Sequence, residues 1–112
     1  MKLIALNSYS CHRPTLLYLP GMDGTGRLFY RQQLALSDYF NLIALALPPT
    51  PLPPTWTAIA TEIHQLINSK SKNNALYLCG ESFGGCLALV YASQFPQHIT
   101  KLILINPATA FD

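Results

Sequence analysis

Gly80-Glu81-Ser82-Phe83-Gly84 is the stretch on which the reading of this chain turns. An apolar run, Ala75 to Cys79, leads into it and reads as a short buried strand. A second run, Cys86 to Phe95, leaves it and reads as a buried helix. A strand, a Gly-x-Ser-x-Gly turn and a helix together make a nucleophile elbow, a turn so tight that the serine is held in a strained conformation with its hydroxyl exposed. Gly80 and Gly84 are expected to be small because a larger side chain would strike neighbouring backbone. The five-residue pattern by itself is weak. The strand before it and the helix after it give it meaning.

Working outward, Thr15-Leu16-Leu17-Tyr18-Leu19 is an apolar strand ended by Pro20-Gly21, and the loop Met22-Asp23-Gly24-Thr25-Gly26 follows. Arg27 to about Ser37 reads as a helix, and Leu42 to Leu47 as the next strand. Pro48-Pro49-Thr50-Pro51-Leu52-Pro53-Pro54 can be neither helix nor central strand, because proline fixes its backbone and has no N–H to donate. It reads as a rigid extended loop, either the wall of a substrate cleft or a plain connector. Trp56, Ile59, Ala60, Ile63, Leu66 and Ile67 recur at helical spacing. His64 flanks that stripe and reads as a solvated or edge histidine. Pro96 stops the Cys86–Phe95 helix, and Lys101 to Ile105 is a further strand closed by Asn106-Pro107. Met1 to Leu6 adds a short strand at the start.

Strands alternate with helices, and each strand is almost continuously apolar. That is the signature of a parallel sheet covered on both faces. The predicted order puts the Thr15 strand beside the Ala75 strand, with the Leu42 and Lys101 strands outside them. The Met22 loop and Ser82 then meet at the switch point of the sheet, where such sheets bind ligands.

The chain has 112 residues, half of them hydrophobic and only 11% charged. Length allows one modest domain. The low charge means that the chain is well buried or packs against something more. A net charge of +2 with scattered basic residues implies no nucleic-acid partner. Cys11, Cys79 and Cys86 lack metal-ligand spacing; Cys79 and Cys86 read as small core hydrophobes, and a reducing, cytoplasmic setting fits. No apolar run reaches membrane-spanning length, and the start of the chain does not read as a signal peptide. Contact with lipid surfaces would be peripheral. No metal site and no cofactor are expected.

Serine chemistry needs a nucleophile, a base, an orienting acid and an oxyanion hole. Ser82 supplies the nucleophile. The oxyanion hole would be two backbone N–H groups, that of Phe83 and one from the loop after an earlier strand, where Met22 is the donor that fits. Gly21 lets that backbone approach closely, and the helix N-terminus after Ser82 favours a developing oxyanion. Gly24-x-Gly26 has a rival reading as a phosphate cradle, but no Gly-Lys-Ser/Thr follows and no Gly-x-Gly-x-x-Gly is present.

Three segments carry a resemblance: Leu19-Pro20-Gly21-Met22-Asp23-Gly24-Thr25-Gly26, Gly80-Glu81-Ser82-Phe83-Gly84-Gly85 and Leu104-Ile105-Asn106-Pro107-Ala108-Thr109. Together they resemble the α/β-hydrolase superfamily and, more narrowly, the N-terminal half of the esterase/lipase/thioesterase-like hydrolases of cyanobacteria and plastids, including the hydrolase domain of phytyl ester synthases. The resemblance implies acyl-ester hydrolysis or acyl transfer through an acyl-Ser82 intermediate, on a hydrophobic acyl ester.

The sequence departs from the family pattern beyond the elbow. Triad partners in this fold follow in the order Ser, then Asp or Glu, then His. Beyond Ser82 stand one histidine, His98, and one carboxylate, Asp112. A helix of about 13 residues carries the chain roughly 20 Å from the elbow before His98. His12 precedes its strand and so lies at the wrong end of the sheet, and His64 sits on a helix face. No triad histidine is therefore identified. Asp112 lies beyond the correct end of its strand, where some relatives carry their acid, and is the weak acid candidate. Glu81 reads as a local hydrogen-bonding residue. The expectation is a single partial α/β-hydrolase domain over residues 1–112, with at least four parallel strands and helices on both faces. Its C-terminal half would be missing, and the chain would be inactive alone. The alternative is a non-catalytic truncated remnant or interaction module that needs a complementary half. In either case the sheet edge at Leu102–Ile105 would promote self-association.

Overall fold

The computed structural model describes residues 1–21, 30–70 and 75–105. The elements in chain order are β1 (Lys2–Ala5), β2 (Thr15–Leu19), α1 (Tyr30–Leu36), β3 (Asn41–Ala46), α2 (Trp56–Lys70), β4 (Leu76–Glu81), α3 (Phe83–Gln94), a 3-10 turn (Pro96–His98) and β5 (Lys101–Ile105). The five strands form one sheet in the order β1-β3-β2-β4-β5. β3, β2, β4 and β5 pair in parallel, with β2 and β4 side by side at the centre, as the apolar runs predict. β1 pairs antiparallel with β3, so the sheet is mixed rather than purely parallel.

Burial follows from this order. All five residues of β2 are buried, because strands lie on both sides of it and side-chain layers cover both of its faces. Leu17, Leu19, Ile43, Leu45, Leu76 and Leu78 point to one face. There Ile59, Ala60, Ile63 and Ile67 of α2 and Leu87, Ala88 and Tyr91 of α3 pack onto them. Leu16, Tyr18, Leu42, Ala44 and Cys79 point to the other face, against Leu36 of α1 and Phe40. The alternation is the period-2 geometry of a strand applied to sequences apolar on both sides.

β1 shortens to Lys2–Ala5, α1 ends at Leu36 (its expected start at Arg27 lies outside the described residues), and β3 shifts by one residue to Asn41–Ala46. Three further boundaries move. α3 begins at Phe83 rather than Cys86, because the glycines of the elbow are themselves helical. β4 runs on to Glu81, paired with Ile105. α2 extends through the polar Ser69 and Lys70, starting from a Thr55 cap whose Oγ1 accepts the Ala58 N–H at 3.0 Å. Proline ends α3 as expected: Phe95 is its C-cap and Pro96 opens the 3-10 turn.

Candidate active site

The elbow is built by collision avoidance. A Cβ at Gly80 would overlap the Gly84 carbonyl and lie 2.8 Å from the Ala88 Cβ. A Cβ at Gly84 would overlap the Leu19 carbonyl and lie 2.5 Å from the Pro20 oxygen. Two turns of backbone therefore meet at glycines, and α3 can start directly over the end of β4. The same contacts bring the chain leaving β2, Leu19-Pro20, against the elbow.

Ser82 sits between these glycines with φ 54° and ψ −115°. It is the one non-glycine residue with positive φ among the described residues. Such a conformation costs on the order of 1–3 kcal/mol and persists only where surrounding structure over-determines it. Here the Ser82 N–H donates to the Ile105 carbonyl at 3.2 Å, and the Ser82 carbonyl accepts from Gly85 at 2.9 Å and Cys86 at 3.2 Å. The backbone is thus tied on both sides, to β5 and to the first turn of α3. The hydroxyl makes no capping bond to the helix.

Phe83 is the first residue of α3. Amides of a first helical turn point out of the N-terminus, where the helix dipole favours negative charge. The ring of Phe83 lies 5.2 Å from that of Trp56 at the start of α2. Met22 and Asp112, the other two expected site residues, lie outside the described residues, as does the Asn106–Thr109 segment.

Glu81 forms a hydrogen bond, but a long-range one rather than the local one the sequence suggests: the Tyr18 hydroxyl donates to Glu81 Oε1 at 2.6 Å. Cys79, on the same face, is buried, and burial followed by the Glu81 charge pushes its thiol up to about 11. It is a core residue rather than a nucleophile. Cys86 is only half-buried.

The histidines lie away from the elbow. His12 is exposed before β2. His64 is less solvated than its edge position predicts, because the end of α3 folds over it. Its ring stacks on Phe95 with centroids 3.9 Å apart, meets His98 at 4.5 Å, and hydrogen-bonds through Nδ1 to the Tyr91 hydroxyl at 3.0 Å. Asn68 Nδ2 lies 3.1 Å from His64 Nε2. Burial, then the neighbouring His98, lowers the pKa of His64. Phe95 caps the far end of the 12-residue α3 from Ser82, roughly 18 Å along its axis. Among the described residues no group of three or more His, Cys, Asp or Glu could hold a metal ion, and no helix is long and apolar enough to cross a membrane.

A mixed sheet in this order with a strained serine at a strand–helix turn defines a class, and the comparisons name it. The chain belongs to the α/β-hydrolase fold family, which residues 14–112 match. It is 40% identical over 101 residues to phytyl ester synthase 1, chloroplastic, of Arabidopsis thaliana, a match covering 88% of this chain and 14% of that protein. Phytyl ester synthase 2, chloroplastic, of the same plant is 40% identical over 98 residues, covering 86% of this chain and again 14% of the relative. The chain thus spans 14% of the length of these relatives. A thermophilic esterase from Thermogutta terrifontis superposes with a TM-score of 0.80 at 22% identity, over 98% of this chain and 41% of the esterase, which speaks for the fold alone.

Proposed function

We propose that Ser82 is the nucleophile of a serine hydrolase or acyltransferase acting on hydrophobic acyl esters. One observation carries the reading: Ser82 is held at φ 54° between two glycines that the neighbouring backbone forbids to be anything larger. In this scheme the Ser82 hydroxyl attacks the ester carbonyl, giving a tetrahedral oxyanion and then an acyl-Ser82 ester with release of the alcohol. Water or an acceptor alcohol resolves it. The Phe83 N–H and the Met22 N–H are the proposed oxyanion donors. The Phe83 assignment is supported by its place at the α3 N-terminus, and the Met22 assignment by the contact of Leu19 and Pro20 with Gly84.

The attacking hydroxyl needs a base, and His12, His64 and His98 are all placed away from it. On this reading the chain alone retains at most the residual catalysis of an oxyanion hole, about 10³–10⁴ over water. The second reading, a non-catalytic module that pairs with a complementary half, is supported by a different observation: His64 packs against Phe95 and His98 instead of lying near Ser82. Hydrolysis of short p-nitrophenyl esters separates the two. In a longer natural form carrying a base, Ser82→Ala is expected to remove nearly all esterase activity and Cys86→Ala to leave it. A parent still active after Ser82→Ala would take Ser82 out of the mechanism. Robust turnover by the 112-residue chain that Ser82→Ala abolishes would place a base among these residues.

A further inference from the structure

We infer that the recess between the proline tract and the start of α3 seats the apolar chain of the ester. The inference rests on the nucleophile reading only for where the ester bond lies. Leu52, Pro53, Pro54, Trp56, Ile59 and Phe83 line a cleft of about 230 Å³. Its walls come from the segment leaving β3, the first turn of α2 and the residue that follows Ser82. It therefore opens beside the elbow, at the C-terminal end of the parallel strands.

The chemistry of the lining is one-sided. Among the described residues no charged side chain contributes, and the one hydroxyl, Thr55 Oγ1, accepts the Ala58 N–H as the cap of α2. The prolines present no N–H and hold a fixed backbone, so that wall is stiff and asks nothing polar of its occupant. Ile59 is buried, and the Trp56 and Phe83 rings meet at 5.2 Å with a 34° tilt. A charged head group would find no charged partner among these described residues and is left outside the recess. The volume falls below the roughly 300–1,000 Å³ that encloses a drug-sized ligand. It suits a short run of methylenes rather than a ring system. Each methylene buried against such a surface strengthens binding about fourfold.

Trp56 is the single tryptophan of the chain, so its emission reports directly on the cleft. Two neutral probe series would be titrated: methyl esters of acids of increasing length, and acetates of alcohols of increasing length. The expected result is affinity rising about fourfold per methylene in at least one series, then levelling when the recess is full. The series that rises says whether the acyl or the alcohol arm is seated. Leu52→Phe should bring the plateau to shorter chains and Leu52→Ala move it to longer ones. Ser82→Ala should titrate like the wild type, so the cleft and the nucleophile fail separately. Ester hydrolysis that survives Ser82→Ala, in this chain or in any longer form carrying a base, would sink the nucleophile and leave the cleft. No dependence on chain length in either series, or a plateau that neither Leu52 variant moves, would overturn the cleft.

Discussion

The Tyr18 hydroxyl reaches across from β2 to Glu81 on β4 and donates to its Oε1 at 2.6 Å. This bond joins the two central strands at the residue immediately before Ser82. Tyr18 is 1% exposed, so its hydroxyl has little access to water as a substitute partner. Hydrogen bonds to charged groups contribute about 1.5–3 kcal/mol net. Tyr18→Phe is expected to lower stability by about that amount in urea unfolding, with the far-UV spectrum unchanged. An unchanged unfolding midpoint would show that the bond is not formed in solution.

Much of this arrangement is legible in the sequence, and the reason is local. β2 and β5 are read to the residue because apolar runs bounded by proline and polar residues leave little room for error. The elbow is read because Gly80, Ser82 and Gly84 are a steric requirement written into neighbouring positions. What escaped is long-range. Nothing near Tyr18 announces Glu81 as its partner, and nothing near His64 announces Phe95 and His98. Those pairings depend on strand register and on how the end of α3 returns over α2. α3 starts three residues before the apolar run at Cys86 because glycines, poor helix formers in isolation, are carried into the helix by close packing at the elbow.

The packing at Gly84 gives a sharp test. An alanine there would place its methyl against the Leu19 and Pro20 carbonyls, which are backbone and cannot swing aside. Gly84→Ala is expected to cost about 3 kcal/mol or more, at the upper end for overpacking. A stability loss below about 1 kcal/mol, read by denaturant unfolding, would mean that β2 and α3 are not in this contact.

His64 links α2 to α3, and the link depends on the neutral ring. With Asn68 Nδ2 donating to Nε2, the proton sits on Nδ1 and is donated to the Tyr91 hydroxyl. Protonation removes the acceptor that Asn68 uses and sets a charge beside His98. The pKa of His64 is lowered in the fold, so the unfolded chain takes up the proton first as pH falls. The contribution is therefore fully present above the unfolded value near 6.5 and is lost as pH drops toward the lower folded value. Between about pH 8 and about pH 5 the urea midpoint should fall, and His64→Gln should flatten that part of the profile. An identical slope in His64→Gln would assign the pH dependence to other groups.

β5 pairs with β4 and, among the described residues, stands at the edge of the sheet. Leu102 is 37% exposed and Ile103 40%, and Lys101 is the one charge on the strand. An apolar edge with unpaired backbone groups is a template for pairing with another chain, and a charge placed on it is an effective block. The 112-residue chain is therefore expected to self-associate, with its weight-average sedimentation coefficient rising with concentration. Ile103→Lys puts a second charge in the middle of the strand at a position open enough to accept it. The variant should sediment as a monomer over the same range while keeping the wild-type far-UV spectrum. If the unaltered chain already runs as a sharp, concentration-independent monomer with cooperative thermal unfolding, the edge is protected and residues 1–112 suffice for a domain. If instead both chains associate equally, the contact lies elsewhere, with exposed Leu89 on α3 the next surface to change.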